Sequence, residues 1–142
     1  MFWTGLFNTT NRDLFSLDPF ASPHNLDREL HSLLVEASSN LCDWFAESGS
    51  KAPIPDSFDL PDAFPGKEGV SNKVLLSELQ LLMNGSYRPS HPGSLAHLDP
   101  PPLSASIVGE LICAGLNNNL LAQELSPSLS SLERNLCKWF CK

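Results

Sequence analysis

Apolar residues along this chain come in short periodic runs, and the runs have the spacing of helices. Leu26, Leu30, Leu33, Leu34, Ala37, Leu41 and Phe45 recur every three or four positions, which sets them along one stripe of an amphipathic helix. With Asn25 as the expected N-cap and the stripe giving out near Ser48-Gly49, the pattern predicts a helix over 25–48. Ser71 offers the cap of a second helix, in which Val74, Leu75, Leu79, Leu82 and Met83 form an apolar face before Asn84-Gly85 stops it. A third is predicted over Ser104–Leu121, carrying Ile107, Leu111, Ile112, Ala114 and Leu116, with Gly109 and Gly115 placed where a backbone or ligand can approach closely. Ser126-Pro127 then starts a fourth, because proline at the first helical position gives up a donor that has no partner there anyway, and Leu129, Leu132, Leu136 and Phe140 face one way. The expected fold class is all-α.

The connections are proline-rich. Residues 1–24 show no clear period and read as an irregular N-terminal arm. Residues 49–70 hold Pro53, Pro55, Pro61 and Pro65 and read as a linker, and 71–142 form a further helical segment. Inside that segment, Tyr87-Arg88-Pro89-Ser90-His91-Pro92 is a turn-rich connection and Pro100-Pro101-Pro102 a rigid extended spacer. A chain of 142 residues is long enough to bury about 70% of its unfolded surface, but 12 prolines and 8 glycines cut it into pieces that argue against one uninterrupted core. Trp139-Phe140-Cys141 fall in the last turn before Lys142, with no glycine or cap after them, so the fourth helix is expected to continue into further structure. Asn40-Leu41-Cys42-Asp43-Trp44-Phe45 echoes Asn135-Leu136-Cys137-Lys138-Trp139-Phe140. Two copies in unlike surroundings fit either a duplicated unit or convergent helix ends.

Charge and composition narrow the function. A formal net charge of −7 and nine scattered basic residues disfavour nucleic acid and anionic membranes as partners. Cys42, Cys113, Cys137 and Cys141 lie within apolar helical patterns and read as reduced thiols packing as small apolar side chains; Cys137 and Cys141 share a helix face but lack nearby ligands to complete a metal site. Met1-Phe2-Trp3-Thr4-Gly5-Leu6-Phe7 lacks the basic start and sustained apolar run of a signal peptide, so a cytoplasmic location is expected. The stretch Leu111–Gln123 is uncharged but too short to span a bilayer, which takes about 20 apolar residues, and it contains Asn117, Asn118 and Asn119.

From His91 onward the order of motifs resembles the N-terminal region of the group II pyridoxal-phosphate-dependent amino-acid decarboxylases, the family of glutamate, aromatic-amino-acid and 2,4-diaminobutyrate decarboxylases. His91-Pro92 resembles that family's His-Pro opening, and Leu95-Ala96-His97-Leu98 with the prolines after it resembles the loop bordering the substrate pocket. Asn117-Asn118-Asn119-Leu120-Leu121 resembles its Asn-x-Asn element. Glu124-Leu125-Ser126-Pro127, followed by Leu132-Glu133 and Trp139, resembles its Glu-x-Ser-Pro helix start. The triple proline and Leu103 lean toward the diaminobutyrate-type members.

The resemblance implies the N-terminal helical region of a fold-type I enzyme, similar to aspartate aminotransferase in fold, that wraps around a second subunit of a homodimer. A large domain elsewhere in such an enzyme holds pyridoxal phosphate, whose ring takes up the electrons left when CO₂ departs from the amino-acid substrate. By position, His97, Leu98 and Asp99 are implied to border the substrate pocket, and Asn119 and Leu121 to reach the neighbouring subunit's site. Asp99 would then face the cationic tail of a diamino acid; read without the family, His97 is a solvated loop histidine and Asp99 a turn residue. The His-Lys cofactor-attachment motif is missing: Lys51, Lys67, Lys73, Lys138 and Lys142 all stand in other contexts, and no phosphate-binding glycine loop is present. The chain is therefore expected to carry no catalytic, cofactor-binding or metal-binding residue of its own. Against this fragment of a carboxy-lyase stand a free-standing helical module that docks on a partner and a small helical protein with its own core.

Overall fold

The computed structural model describes residues 20–56, 69–95 and 98–142. Most of the expected arm over 1–24, the middle of the expected linker over 49–70, and His97 lie outside the described residues. Among those described are four α-helices, two 3-10 turns and no strand. The chain divides into two units, residues 1–100 and 101–142.

In the first unit, α1 (Arg28–Ala46) is capped by Asp27, whose carboxylate accepts the Leu30 N–H at 2.8 Å. The expected cap at Asn25 is therefore displaced by two residues. The Asp27 side chain also accepts the Ser22 N–H. These two backbone donors, Leu30 first, hold its carboxyl below the usual range, because they favour the charged form. A 3-10 turn, Ser48–Ser50, comes after α1. Helix α2 (Asn72–Asn84) starts at Ser71, whose Oγ accepts the Val74 N–H. It ends at Gly85 as expected, although Gly85 has φ −85° and does not use glycine's left-handed freedom. Ser86 closes the end instead, its Oγ donating to the Leu82 carbonyl at 2.7 Å.

Helices α1 and α2 pack on each other, using part of the predicted stripe on α1 and a shifted face on α2. On α1 the covered stripe runs through Leu33, Ala37, Leu41 and Trp44 to Ser48, while Leu26, Leu30 and Leu34 stay exposed. On α2 the buried residue is Leu76, while Val74, Leu79 and Leu82 face outward. Trp44 and Leu76 are the buried apolar residues among those described. Trp44 meets the end of α2 at the Met83 carbonyl, and Leu76 lines the groove beside Glu36 and Asn40.

The second unit begins at the proline spacer, which delivers Leu103 in extended backbone. Helix α3 (Ser104–Leu116) comes next, and it stops five residues short of the predicted Leu121. Asn117 there takes the left-handed conformation, φ 43°, which ends a helix and which asparagine tolerates better than other side chains bearing a Cβ. Space is open around Gly109 and Gly115, so neither marks a close approach within the described residues. After a 3-10 turn, Gln123–Leu125, comes α4 (Pro127–Phe140). It packs against that turn and not against α3. Neither α3 nor α4 has a buried residue.

Ser126 stands at the expected cap of α4, but its side chain caps nothing. Its backbone at φ −150° and ψ 63° lets the Ser126 N–H close the preceding turn, and its Oγ is fully buried without a hydrogen-bond partner. Substituting a capping serine by alanine ordinarily destabilises by about 1 kcal/mol. Here the sign reverses: Ser126→Ala removes an unpaired buried hydroxyl, and α4 should melt at the same temperature or higher, by up to about 1 kcal/mol of added stability. A circular-dichroism melt that falls by a normal capping loss would contradict this burial.

Candidate functional site

The turn that follows Tyr87 is tied to the end of α1 by one residue. Arg88 is 4% exposed, and its guanidinium lies 4.8 Å from the centroid of the Trp44 ring. That distance is within the range of a cation–π contact. Its Nη1 donates to the Trp44 carbonyl at 2.7 Å, and its backbone N–H donates to the Pro53 carbonyl at 2.9 Å. The Trp44 indole N–H in turn donates to the Met83 carbonyl at the end of α2, at 2.6 Å. Ser48 Oγ adds a second donor to the Trp44 carbonyl. The Trp44 indole thus joins α1 to α2, the Arg88 guanidinium joins Arg88 to α1, and the Arg88 backbone joins it to Pro53 and to the turn that follows.

Downstream, the Arg88 carbonyl accepts from the His91 N–H and from Ser94 Oγ, and the His91 carbonyl accepts from the Ser94 N–H. The His91 ring folds onto the Gly93 N–H, with Nδ1 accepting at 2.8 Å. A Cβ on residue 93 would meet that ring at 3.0 Å, so a side chain there would require the imidazole to shift by a few tenths of an ångström. Beyond Leu95 the described chain resumes at Leu98, which is 96% exposed.

The residues implied by resemblance fall in both units, and each is described within its own. Leu98 and Asp99 belong to the first; His97 lies outside the described residues. In the second, Asn119 forms a local turn, its Oδ1 accepting the Leu121 N–H at 3.2 Å, and Leu121 is 94% exposed. Asn117 is the helix terminator. Two of the three consecutive amides therefore have backbone work to do, and among the described residues nothing covers Leu98 or Leu121.

The described residues do not fit a pyridoxal-phosphate site. A Schiff-base lysine needs a desolvating pocket that lowers its pKa. Lys51 instead reaches Glu47 at 3.9 Å on the surface, and Lys73, Lys138 and Lys142 are exposed; Lys67 lies outside the described residues. Lys73 edges an open groove of about 480 Å³ between α1 and α2, lined also by Glu36, Asn40, Leu76, Gln80 and Asn84. With Ser77 and Leu81 also in its lining, this groove offers scattered side-chain groups and one carboxylate, not the cradle of backbone donors that a phosphate requires. The four thiols are free and exposed, which corrects the expectation that they pack as small apolar side chains. Among the described residues no group of three or more potential ligands could hold a metal ion, and no helix is long and apolar enough to cross a membrane.

Sequence reasoning missed Trp44 and Arg88. A signal for Trp44 was present, since it falls three residues after Leu41 on the same stripe. For Arg88, nothing in charge pattern or spacing distinguishes a buried cation from a solvated one.

Comparison with characterised proteins adds a relative. Over 76 residues, 53% of this chain, the sequence is 33% identical to the L-2,4-diaminobutyrate decarboxylase of Acinetobacter baumannii. The matched stretch is 15% of that enzyme's length, so the chain spans a small part of the relative it matches. No protein-family model matches the chain.

Proposed function

We propose that this chain serves as the N-terminal portion of a pyridoxal-phosphate-dependent amino-acid decarboxylase, supplying subunit interface and the substrate-side wall of the pocket. The similarity to a diaminobutyrate decarboxylase supports the reaction class. The observation that carries the role is the second unit, whose two helices bury none of their residues and expose Val108, Ile112, Leu132, Trp139 and Phe140. Helices with such faces reach stability by packing against other surfaces. Cofactor and reacting atoms belong to the remainder of the enzyme, because the lysines described here do not fit that task. On this reading Leu98 and Leu121, exposed among the described residues, are covered on assembly, and the resemblance assigns His97, Asp99 and Asn119 to the pocket border as well.

A chimera tests this reading. Replacing the matched segment of the Acinetobacter baumannii enzyme by this chain should give a protein that decarboxylates diaminobutyrate, while deleting the segment outright should abolish activity. A chimera that folds and loads its cofactor yet releases no CO₂ would favour the alternative, a helical interaction module without enzymatic activity.

A further inference from the structure

We propose that Cys137 and Cys141, at the end of α4, bind a soft monovalent cation such as copper(I) between their two sulfurs. The Cys141 N–H donates to the Cys137 carbonyl at 3.1 Å, a helical hydrogen bond that sets the two residues one turn apart on the same side. Both thiols are free and exposed. At 3.6 residues per turn they share that side with Arg134 and Lys138, and the stripe of Leu132, Leu136 and Trp139 points the other way. Covering the stripe therefore leaves the thiols within reach.

The spacing selects the ion. Residues four apart on a helix have Cβ atoms about 5–6 Å apart, beyond the about 3.5–4.5 Å that a disulfide spans. A direct S–S bond would need the helix end to unwind. Two sulfurs on opposite sides of one ion, each at the about 2.3 Å of a zinc–thiolate bond, stand about 4.6 Å apart, which these side chains reach with the helix intact. Two thiolates complete the linear coordination of a soft monovalent ion, whereas zinc takes four ligands. Glu133 lies two turns before Cys141, about 12 Å along the axis, and does not join the pair; among the described residues no three potential ligands come together. Each thiol releases its proton to solvent on binding, so the ion sits between two thiolates with one net negative charge. Arg134 and Lys138 offset that charge, and Lys138 has no carboxylate partner among the described residues. Cys42 in α1 and Cys113 in α3 have no second thiol one turn away.

The test titrates the reduced 142-residue chain, dilute and free of oxygen, with silver(I), which has the charge and linear preference of copper(I) and undergoes no redox chemistry. Alkylation by iodoacetamide and mass spectrometry of the peptides then read which thiols are covered. One equivalent of silver should protect Cys137 and Cys141 together and leave Cys42 and Cys113 reactive. Affinity for copper(I), measured against a coloured chelator, should fall about hundredfold or more in Cys137→Ser and in Cys141→Ser, the loss expected when one of two linked contacts is removed. Cys42→Ser combined with Cys113→Ser should bind like the parent. Cys141→Ser combined with Lys138→Cys keeps two thiols but turns them about 100° apart around the helix, and should not recover the affinity. Equal protection of all four thiols overturns the proposal, as does saturation at half an equivalent, which would mean that the ion joins two chains. A smaller loss in either single variant, or recovery in the relocated pair, overturns it too, since the spacing would then play no part.

Discussion

Trp44→Ala should separate α1 from α2. Removing a buried tryptophan side chain costs about 3–5 kcal/mol when its surroundings cannot collapse into the space, and here two further interactions go with it. The indole N–H no longer reaches the Met83 carbonyl, and the Arg88 guanidinium loses the ring it lies over. Arg88 would be left as a cation in a site that no longer closes around it, which adds an unpaired-charge penalty to the cavity. A unit held by so small a contact has no reserve to absorb this. Circular dichroism should show α1 and α2 losing most of their helix at 25 °C, with exchange protection lost in both. Trp44→Phe separates the contributions: it keeps a ring under Arg88, gives up the bond to Met83, and should cost about 1 kcal/mol with both helices retained. Native-like protection in Trp44→Ala would show that something other than this contact holds the pair.

How much of this was legible in the sequence depends on what each residue answers to. Helix existence answers to local spacing, and all four helices lie where the apolar period placed them. Their ends answer to single residues competing for backbone donors. Asp27 displaces Asn25 as cap because its carboxylate accepts two N–H groups, and Asn117 ends α3 early because it adopts the left-handed conformation that a continued apolar run gives no reason to expect. Ser126 occupies the cap of α4 in sequence but not in chemistry, since the turn before it swings its hydroxyl inward.

The echo between Asn40–Phe45 and Asn135–Phe140 separates local from tertiary information. The ring pairs have nearly the same arrangement, centroids 5.2 Å apart at 68° for Trp44–Phe45 and 4.9 Å at 63° for Trp139–Phe140. Adjacent positions on a helix give that arrangement whenever the residues recur. Burial is another matter, for Trp44 is 8% exposed and Trp139 65%. What covers a tryptophan is decided by a partner such as Met83 or Arg88, far away in sequence, and no period in the sequence encodes it. The same reason made the apolar stripes of α1 and α2 readable as stripes but not as to which part of each would be covered. For the candidate site, the resemblance located Leu98, Asp99, Asn119 and Leu121 by position, and their roles remain proposals that rest on it.

The second large effect concerns the chain by itself. Helices α3 and α4 display Val108, Ile112, Leu132, Leu136, Trp139 and Phe140 with nothing of the second unit over them, and contiguous apolar faces of that kind associate with whatever apolar surface is offered. Purified alone, the 142-residue chain should associate in a concentration-dependent way in the micromolar range. Ile112→Glu combined with Phe140→Glu should return it to a monomer, because charges on both faces oppose their burial against a second copy. Sedimentation velocity across a dilution series, joined to a calorimetric melt of the most dilute sample, tests most directly whether these helices are built for a neighbour. The account predicts species that grow with concentration, and a broad, weak transition in the monomer. A dilute monomer that melts in one sharp cooperative step, with the double glutamate variant no less associated than the parent, would contradict it.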